Sequence, residues 1–265
     1  MADGIAVGTT VVFLSVGAFA EFVAVPRAVC QVVDRATPEY LALNVSGLTA
    51  AIALGELAGP ALTAATPKKK VALVTAAAGG TGHLAVQLLK EVYHCTVVGT
   101  CSSPAKAHYL RDTLRCDHVI DYQTALAEGT LDRQLGEVAP EGFTVIYECV
   151  GGELFNTAVR HIAPRGVVLM IGAIVHYATG GPAVWQHPQN IPLSTLLLTK
   201  SASLKGFHLS QFTTEARQYG PQLMKLLNEK RIRVEVDAHA LDTFHGIDQV
   251  IDAVEYIHSG RSMGR

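Results

Sequence analysis

The chain has 265 residues, and its 21 Lys and Arg against 23 Asp and Glu leave a formal net charge of −2. This balance argues against a nucleic-acid-binding protein, which is expected to carry a basic excess. A hydrophobic fraction of 49% excludes an intrinsically disordered chain. The five cysteines are odd in number and form no CxxC pair, which indicates reduced thiols in an intracellular protein rather than a disulfide framework.

The first 62 residues are rich in apolar side chains. Residues 5–25 raise the question of a membrane span, but Glu21 interrupts the stretch and glycines at 8 and 17 divide it into short β-branched runs. This pattern predicts two buried strands joined by a turn, and no membrane span. Residues 41–62 predict an apolar helical region.

From residue 71 onward, apolar runs of strand length alternate with amphipathic segments of helix length. This alternation is typical of an α/β protein with a doubly wound, six-stranded parallel sheet and helices on both faces, the Rossmann arrangement. The predicted strands are 71–76, 95–100, 118–120, 143–149, 167–171 and 203–208.

Two of the later helices have specific sequence features. Pro104 follows two serines and predicts the first position of a helix that runs toward Leu114. Residues 246–258 place five apolar side chains at helical spacing, which predicts a helix with one buried stripe. The stripe consists of Ile247, Val250, Ile251, Val254 and Ile257.

A glycine-rich turn after the first predicted strand is the strongest local signal. The run Ala77-Ala78-Gly79-Gly80-Thr81-Gly82 resembles GxGxxG with Ala77 in place of the first glycine, and a predicted helix follows it. Small residues let the backbone approach a pyrophosphate, and free N–H groups at the helix start face the anion. The turn therefore predicts a dinucleotide site, with a purely structural turn as the alternative.

Glycine-rich turns also occur in other enzyme classes. The turn in this chain also fits the glycine motif of short-chain dehydrogenases, but none of the eight tyrosines has a Lys four residues later. The chain contains no GxxxxGK[ST] phosphate loop and no GxSxG nucleophile elbow. A methyltransferase remains an open alternative, since the fold by itself does not exclude that class.

The end of the second predicted strand indicates which dinucleotide is bound. NAD sites usually place a carboxylate there for the ribose 2′-hydroxyl, whereas this chain has Ser102 and Ser103, with Lys106 shortly after. Hydroxyls and an ammonium group favour a 2′-phosphate, so the predicted cofactor is NADPH. The alternative for Lys106 is an ordinary surface lysine.

Several segments together resemble the quinone-oxidoreductase branch of the medium-chain dehydrogenase/reductases, and within it the prostaglandin reductases. The segments are 75–82, 99–103, 147–152, 171–174 and 201–207. The resemblance implies that NADPH gives its hydride to the β-carbon of an α,β-unsaturated ketone, with 15-oxoprostaglandins as the expected substrates. It also implies a homodimer and a cytoplasmic or peroxisomal location.

The resemblance assigns roles to individual residues. Thr49 is expected beside the nicotinamide ribose, and Ser103, Lys106 and Tyr122 at the adenine-ribose phosphate. The residues expected to line the nicotinamide are Val150, Gly151, Gly172, Ala173, Ile174, Phe207, His208 and Leu209.

Tyr177 is the candidate for chemistry. It resembles the tyrosine that hydrogen-bonds the nicotinamide ribose in prostaglandin reductases. A hydroxyl donor near the ketone oxygen would stabilise the enolate that forms during enone reduction. The alternative is a loop tyrosine that packs near Pro182.

The resemblance does not extend to zinc or to the whole length of the family. Ser46-Gly47 stand where zinc-dependent relatives commonly place a ligand cysteine, so no metal is expected. Residues 1–40 are interpreted as remnant strands of a GroES-like β domain, 41–259 as the Rossmann NADPH-binding domain, and 260–265 as a truncated turn. Two functions therefore stay open: the reductase, or an NADPH-binding module without turnover.

Overall fold

A six-stranded parallel sheet forms the centre of the protein, in a computed structural model that describes residues 4–66, 68–177 and 193–264. Two short strands, β1 (Val11–Val12) and β2 (Gln31–Val32), form a separate pair. The strands of the central sheet are β3 (Val71–Val74), β4 (Thr96–Cys101), β5 (His118–Asp121), β6 (Phe143–Glu148), β7 (Ile162–Met170) and β8 (Ser203–Gly206). Their order is β5-β4-β3-β6-β7-β8, and every neighbouring pair is parallel.

All six predicted strands are present, and the predicted doubly wound sheet is confirmed. The largest difference is at β7, which begins at Ile162 instead of residue 167. Pro164 and Gly166 lie within this strand, and such residues usually mark a turn. The structure accommodates them because Ile162 pairs with Phe143 and the register then shifts before Val145.

Helices cover both faces of the sheet. Because side chains alternate along a strand, Leu73 and Val98 face one hydrophobic cluster while Val74 and Val97 face the other. The helices span Pro38–Leu57, Gly59–Thr63, Gly82–Glu91, Pro104–His108, Tyr122–Ala127, Leu131–Val138, Gly152–Arg160, Ile174–Tyr177, Leu193–Lys200, Thr213–Asn228, Ala238–Thr243 and Val250–His258.

The helix Pro38–Leu57 confirms the predicted apolar helical region. Among the described residues it is the one helix whose length and composition would allow it to cross a membrane. However, 61% of its most apolar window is buried inside the protein, where it packs against Gly82–Glu91 and Thr213–Asn228. A helix buried to this extent belongs to the core of the fold.

The prediction of two buried strands within residues 5–25 is wrong. Only β1 (Val11–Val12) forms there, and it pairs antiparallel with β2 (Gln31–Val32). Val16 is 100% exposed and Phe22 is 91% exposed. β-Branched residues favour extended backbone, but burial requires an opposing surface, and no described element covers these side chains.

The prediction of a buried stripe on the last helix is also wrong. The helix itself is present at Val250–His258, and Tyr256 is its buried residue. Ile251 is 72% exposed, and Ile247, Val254 and Ile257 are exposed as well. Helical spacing aligned these residues on one face, but no described element packs over that face.

Candidate functional site

The candidate site lies where the chain leaves the carboxyl ends of the parallel strands. From the central pair β3 and β6, successive strands are added outward in opposite directions. Ligands of open α/β sheets bind in the crevice at this topological switch point. The glycine-rich turn follows β3, and residues 149–151 follow β6, so both border the crevice.

The glycine-rich turn is a tight structure that needs small residues. A Cβ atom on Gly82 would lie 2.3 Å from the carbonyl oxygen of Ala76, a backbone atom that cannot move aside cheaply. Ala77 is fully buried and its N–H donates to the Thr100 carbonyl at 2.9 Å. Ala77 therefore shapes the turn from inside.

The start of the helix Gly82–Glu91 presents donors to the crevice. A parallel bridge pairs Gly79 with Gly264, whose N–H donates to the Ala78 carbonyl at 2.8 Å. Within the described chain, the N–H groups of Thr81 and Gly82 have no backbone acceptor. Such groups, together with the helix dipole of a ten-residue helix, attract an anion. The turn thus has the donors that a pyrophosphate needs.

The Thr81 hydroxyl is directed into the protein. Its Oγ1 lies 2.6 Å from the Tyr147 hydroxyl and donates to the Ser46 carbonyl at 3.2 Å. A contact between Thr81 and a phosphate would therefore come from the backbone N–H group. The hydroxyl instead ties the turn to β6 and to the helix Pro38–Leu57.

A buried histidine anchors the turn from the opposite side. His83 is fully buried; its Nδ1 donates to the Gly79 carbonyl at 3.0 Å, and its Nε2 accepts from the Glu235 N–H at 3.2 Å. Burial lowers the pKa of His83, so the ring is neutral. One turn later, Gln87 bonds both the N–H and the carbonyl of Arg233. Together these side chains dock residues 233–235 along the helix.

The residues predicted to bind the 2′-phosphate follow β4 and β5. The Oγ of Ser103 accepts from the Lys106 N–H at 3.4 Å and caps the helix at Pro104, as predicted. The Lys106 Nζ donates to the Gly260 carbonyl at 2.6 Å, and burial lowers the pKa of this lysine. Ser102 and Tyr122 are half-buried, at the ends of β4 and β5.

The two loops predicted to line the nicotinamide are joined by backbone hydrogen bonds. The N–H groups of Ile174 and Val175 donate to the carbonyls of Cys149 and Val150 at 3.1 and 3.2 Å. The N–H of Ile171 donates to the Glu148 carbonyl at 2.8 Å. The predicted residues Val150, Gly151, Gly172, Ala173 and Ile174 therefore belong to one bonded unit.

The remaining predicted residues are placed separately. Phe207 is buried and stacks on Phe212 with ring centroids 4.7 Å apart, while His208 is exposed and pairs with Ser210. Leu209 is half-buried at the start of a 3₁₀ turn, and Thr49 is half-buried within the helix Pro38–Leu57. Tyr177 ends the short helix Ile174–Tyr177, and its side chain lies outside the described residues.

Sequence reasoning missed a buried carboxylate at the centre of the site. Glu148 ends β6 and is fully buried. Its Oε1 accepts from the N–H groups of Val150 and Gly151 at 2.9 and 2.7 Å, and its Oε2 accepts from the Thr75 hydroxyl at 3.2 Å. Burial raises the pKa of Glu148 to about 7, against the opposing effect of these bonds. A charged residue at the end of the otherwise apolar run 145–147 was the available signal.

The described residues hold no cluster suited to zinc. No three His, Cys, Asp or Glu side chains are grouped closely enough within them to ligate one ion. A catalytic zinc site needs three such protein ligands. The donors present at the crevice are N–H groups, hydroxyls and one ammonium group, which suit an anionic ligand.

Comparisons with known proteins agree on one family. The model of the family described as zinc-binding dehydrogenase matches residues 80–229. A probable quinone oxidoreductase of Leishmania amazonensis is 46% identical over 98% of this chain and 72% of its own length. Prostaglandin reductase-3 of Bos taurus is 40% identical, again over 98% of this chain, which spans 66% of the bovine protein.

A comparison with solved structures indicates the same fold. The quinone oxidoreductase of Escherichia coli, complexed with NADPH, superposes with a TM-score of 0.70 at 20% identity. The match covers 89% of this chain and 67% of that protein. At this identity the similarity is one of fold.

Proposed function

Because the chain belongs to the zinc-binding dehydrogenase family, we propose that it is an NADPH-dependent reductase of α,β-unsaturated ketones, of the 15-oxoprostaglandin 13-reductase type. The observation that carries the proposal is the set of donors and bonded loops at the switch point of the sheet. The relative named prostaglandin reductase-3 supports the choice of substrate class. The family description mentions zinc, but the described residues do not fit that ion, so no step is assigned to it.

The residues of the site divide along the length of the cofactor. The N–H groups of the glycine-rich turn would bind the pyrophosphate, and Lys106 with Ser103 would bind the 2′-phosphate. The bonded loops 149–151 and 171–175 would hold the nicotinamide. NADPH, when bound, supplies the hydride that reduces the double bond. Tyr177 would donate a hydrogen bond toward the oxygen that gains negative charge.

Two measurements on the purified chain test this proposal. Calorimetric titration is expected to show NADPH binding, and the loss of NADPH absorbance is expected to depend on added 15-oxoprostaglandin. Tyr177→Phe is expected to slow turnover by roughly tenfold or more, because one donor to a developing oxyanion is lost, while NADPH still binds. A wild-type chain that fails to bind NADPH would overturn the proposal.

A second candidate is an NADPH-binding module without turnover. The N–H donors of the glycine-rich turn and the bonded loops account for cofactor binding by themselves, which is all that this candidate requires. NADPH binding without consumption of NADPH, for the enone and for a simple quinone alike, would support the module. Consumption with either acceptor would favour the reductase.

We also infer that two copies pair through an open edge of the sheet, at β5 or β8. An edge strand presents unpaired N–H and C=O groups that a second copy satisfies. Light scattering at several concentrations is expected to give twice the chain mass of 28.2 kDa. A single-chain mass throughout would contradict the pairing.

A further inference from the structure

Three consecutive N–H groups after β6 are bonded by two side chains instead of by backbone. The Cys149 N–H donates to the Thr75 Oγ1 at 2.8 Å, and the N–H groups of Val150 and Gly151 donate to the Glu148 Oε1. The Thr75 hydroxyl in turn donates to the Glu148 Oε2. Thr75 and Glu148 are both fully buried, so water does not substitute for these bonds.

The carbonyls of residues 148–150 also hold the neighbouring loop. The carbonyls of Glu148, Cys149 and Val150 accept from the N–H groups of residues 171, 172, 174 and 175. Residues 149–151 are thus fixed through their N–H groups by Thr75 and Glu148, and the carbonyls of residues 148–150 fix residues 171–175. The position of both loops therefore depends on one buried carboxylate and one hydroxyl.

The backbone conformation of this loop requires such support. Gly151 has a φ of +81° and Gly152 a φ of +58°, in the left-handed region that glycine tolerates best. Because glycine allows many backbone conformations, the hydrogen bonds of this loop select the one that is observed. Glu148 supplies the acceptor for the Gly151 N–H at the bend itself.

We propose that Glu148 is a positioning residue, which through Thr75 and the N–H groups of residues 149–151 sets both loops for the nicotinamide half of the cofactor. This inference rests on the proposed NADPH site. It predicts that substitution of Glu148 changes the affinity for ligands that carry a nicotinamide ring, and not the affinity for ligands that end at the ribose. A residue that only supported the fold would affect both kinds of ligand.

The test compares two ligands by calorimetric titration of the full chain. NADP⁺ carries the nicotinamide, and 2′-phospho-ADP-ribose has the same adenine, 2′-phosphate and pyrophosphate without that ring. Glu148→Ala leaves two buried N–H groups without an acceptor, and each such loss is worth about tenfold in an equilibrium constant. We expect Glu148→Ala to weaken NADP⁺ binding by at least about tenfold and 2′-phospho-ADP-ribose binding by less than about twofold.

Glu148→Gln is the matched control, because its amide oxygen keeps the acceptor and its amide nitrogen can donate to the Thr75 hydroxyl. Its NADP⁺ affinity is expected to stay within about threefold of wild type. Equal weakening of both ligands by Glu148→Ala, or no weakening of either, would overturn the inference. A wild-type chain that binds neither ligand would overturn the proposed function itself.

A second pair of variants keeps the test decisive if Glu148→Ala does not fold. Thr75→Val preserves the shape of the side chain but removes the hydroxyl, whereas Thr75→Ser retains it. Thr75→Val is expected to lose NADP⁺ affinity selectively, and Thr75→Ser to recover it. Indistinguishable titrations of the two Thr75 variants would contradict the role of this hydrogen-bond chain.

Discussion

Lys106 is the residue on which the choice of cofactor depends most directly. It lies in the helix Pro104–His108, shortly after the end of β4, where a carboxylate would favour NADH, and its Nζ donates to the Gly260 carbonyl. Burial lowers the pKa of Lys106, although the nearby Asp237 acts in the opposite direction. A 2′-phosphate would add negative charge beside the ammonium group.

Lys106→Ala is therefore expected to lower NADPH affinity and to leave NADH affinity unchanged. Charge-assisted hydrogen bonds are worth about 1.5–3 kcal/mol, which corresponds to roughly 10- to 100-fold in the dissociation constant. Titration with both cofactors measures the change. Lys225→Ala, which removes an exposed lysine from the helix Thr213–Asn228, is the control. An unchanged NADPH-to-NADH preference in Lys106→Ala would assign this lysine to the surface.

Among the secondary-structure elements, the glycine-rich turn and the helix after it have the strictest steric requirement. A Cβ on Gly82 would also lie 2.9 Å from the Cα of Ala77, so two backbone atoms oppose any side chain. Gly136 offers a contrast, because it lies inside the helix Leu131–Val138 and an added Cβ would meet the His161 ring at 3.4 Å. That distance is ordinary van der Waals contact.

Opposite stability effects are expected from alanine at these two glycines. Gly82→Ala should lower the free energy of unfolding by about 1–3 kcal/mol, since the backbone must shift, and should weaken NADPH binding. Gly136→Ala should raise the free energy of unfolding by about 0.5–1 kcal/mol, because alanine favours helix. Urea unfolding of the three proteins measures both changes. If Gly82→Ala left the free energy of unfolding unchanged, the turn would be able to accommodate a side chain at this position.

At the scale of the whole molecule, two buried titratable groups, Glu148 and His83, change the stability in opposite directions as pH changes. Burial raises the pKa of Glu148 to about 7, so the folded chain keeps a proton that the unfolded chain releases near 4.5, and stability falls as pH rises through this window. Burial lowers the pKa of His83, so the unfolded chain takes up a proton first as pH falls below 6.5. The stability that the neutral His83 ring contributes to the folded chain therefore decreases as pH falls.

Glu148→Gln is expected to separate these two effects. Relative to wild type, the variant should gain stability as pH rises from 4.5 to 7, by on the order of 3 kcal/mol, and stay level above that. Its own stability should decrease below pH 6.5 because the His83 effect is then no longer offset by Glu148. Urea unfolding at pH 5, 6, 7 and 8 measures the difference, with the exposed Glu137→Gln as control. A pH-independent difference from wild type would contradict the assigned titration.

The sequence by itself determined the features that depend on neighbouring residues along the chain. Apolar runs fixed the six parallel strands, and the glycine spacing fixed the tight turn after β3, since both follow from local backbone geometry and side-chain volume. Ser103 and Pro104 marked a helix start for the same reason. These patterns were sufficient to predict the fold and the position of the glycine-rich turn.

Only the tertiary structure decided which side chains are buried and what they meet. Thr75 reaches Glu148 across 73 residues of sequence, and Lys106 reaches Gly260 across 154. The apolar face of the last helix stayed exposed although its spacing predicted burial. Burial and hydrogen-bond partners depend on elements distant in sequence, which a local pattern does not specify. For that reason the role of the Glu148 carboxylate in joining the two loops could be recognised only from the tertiary structure.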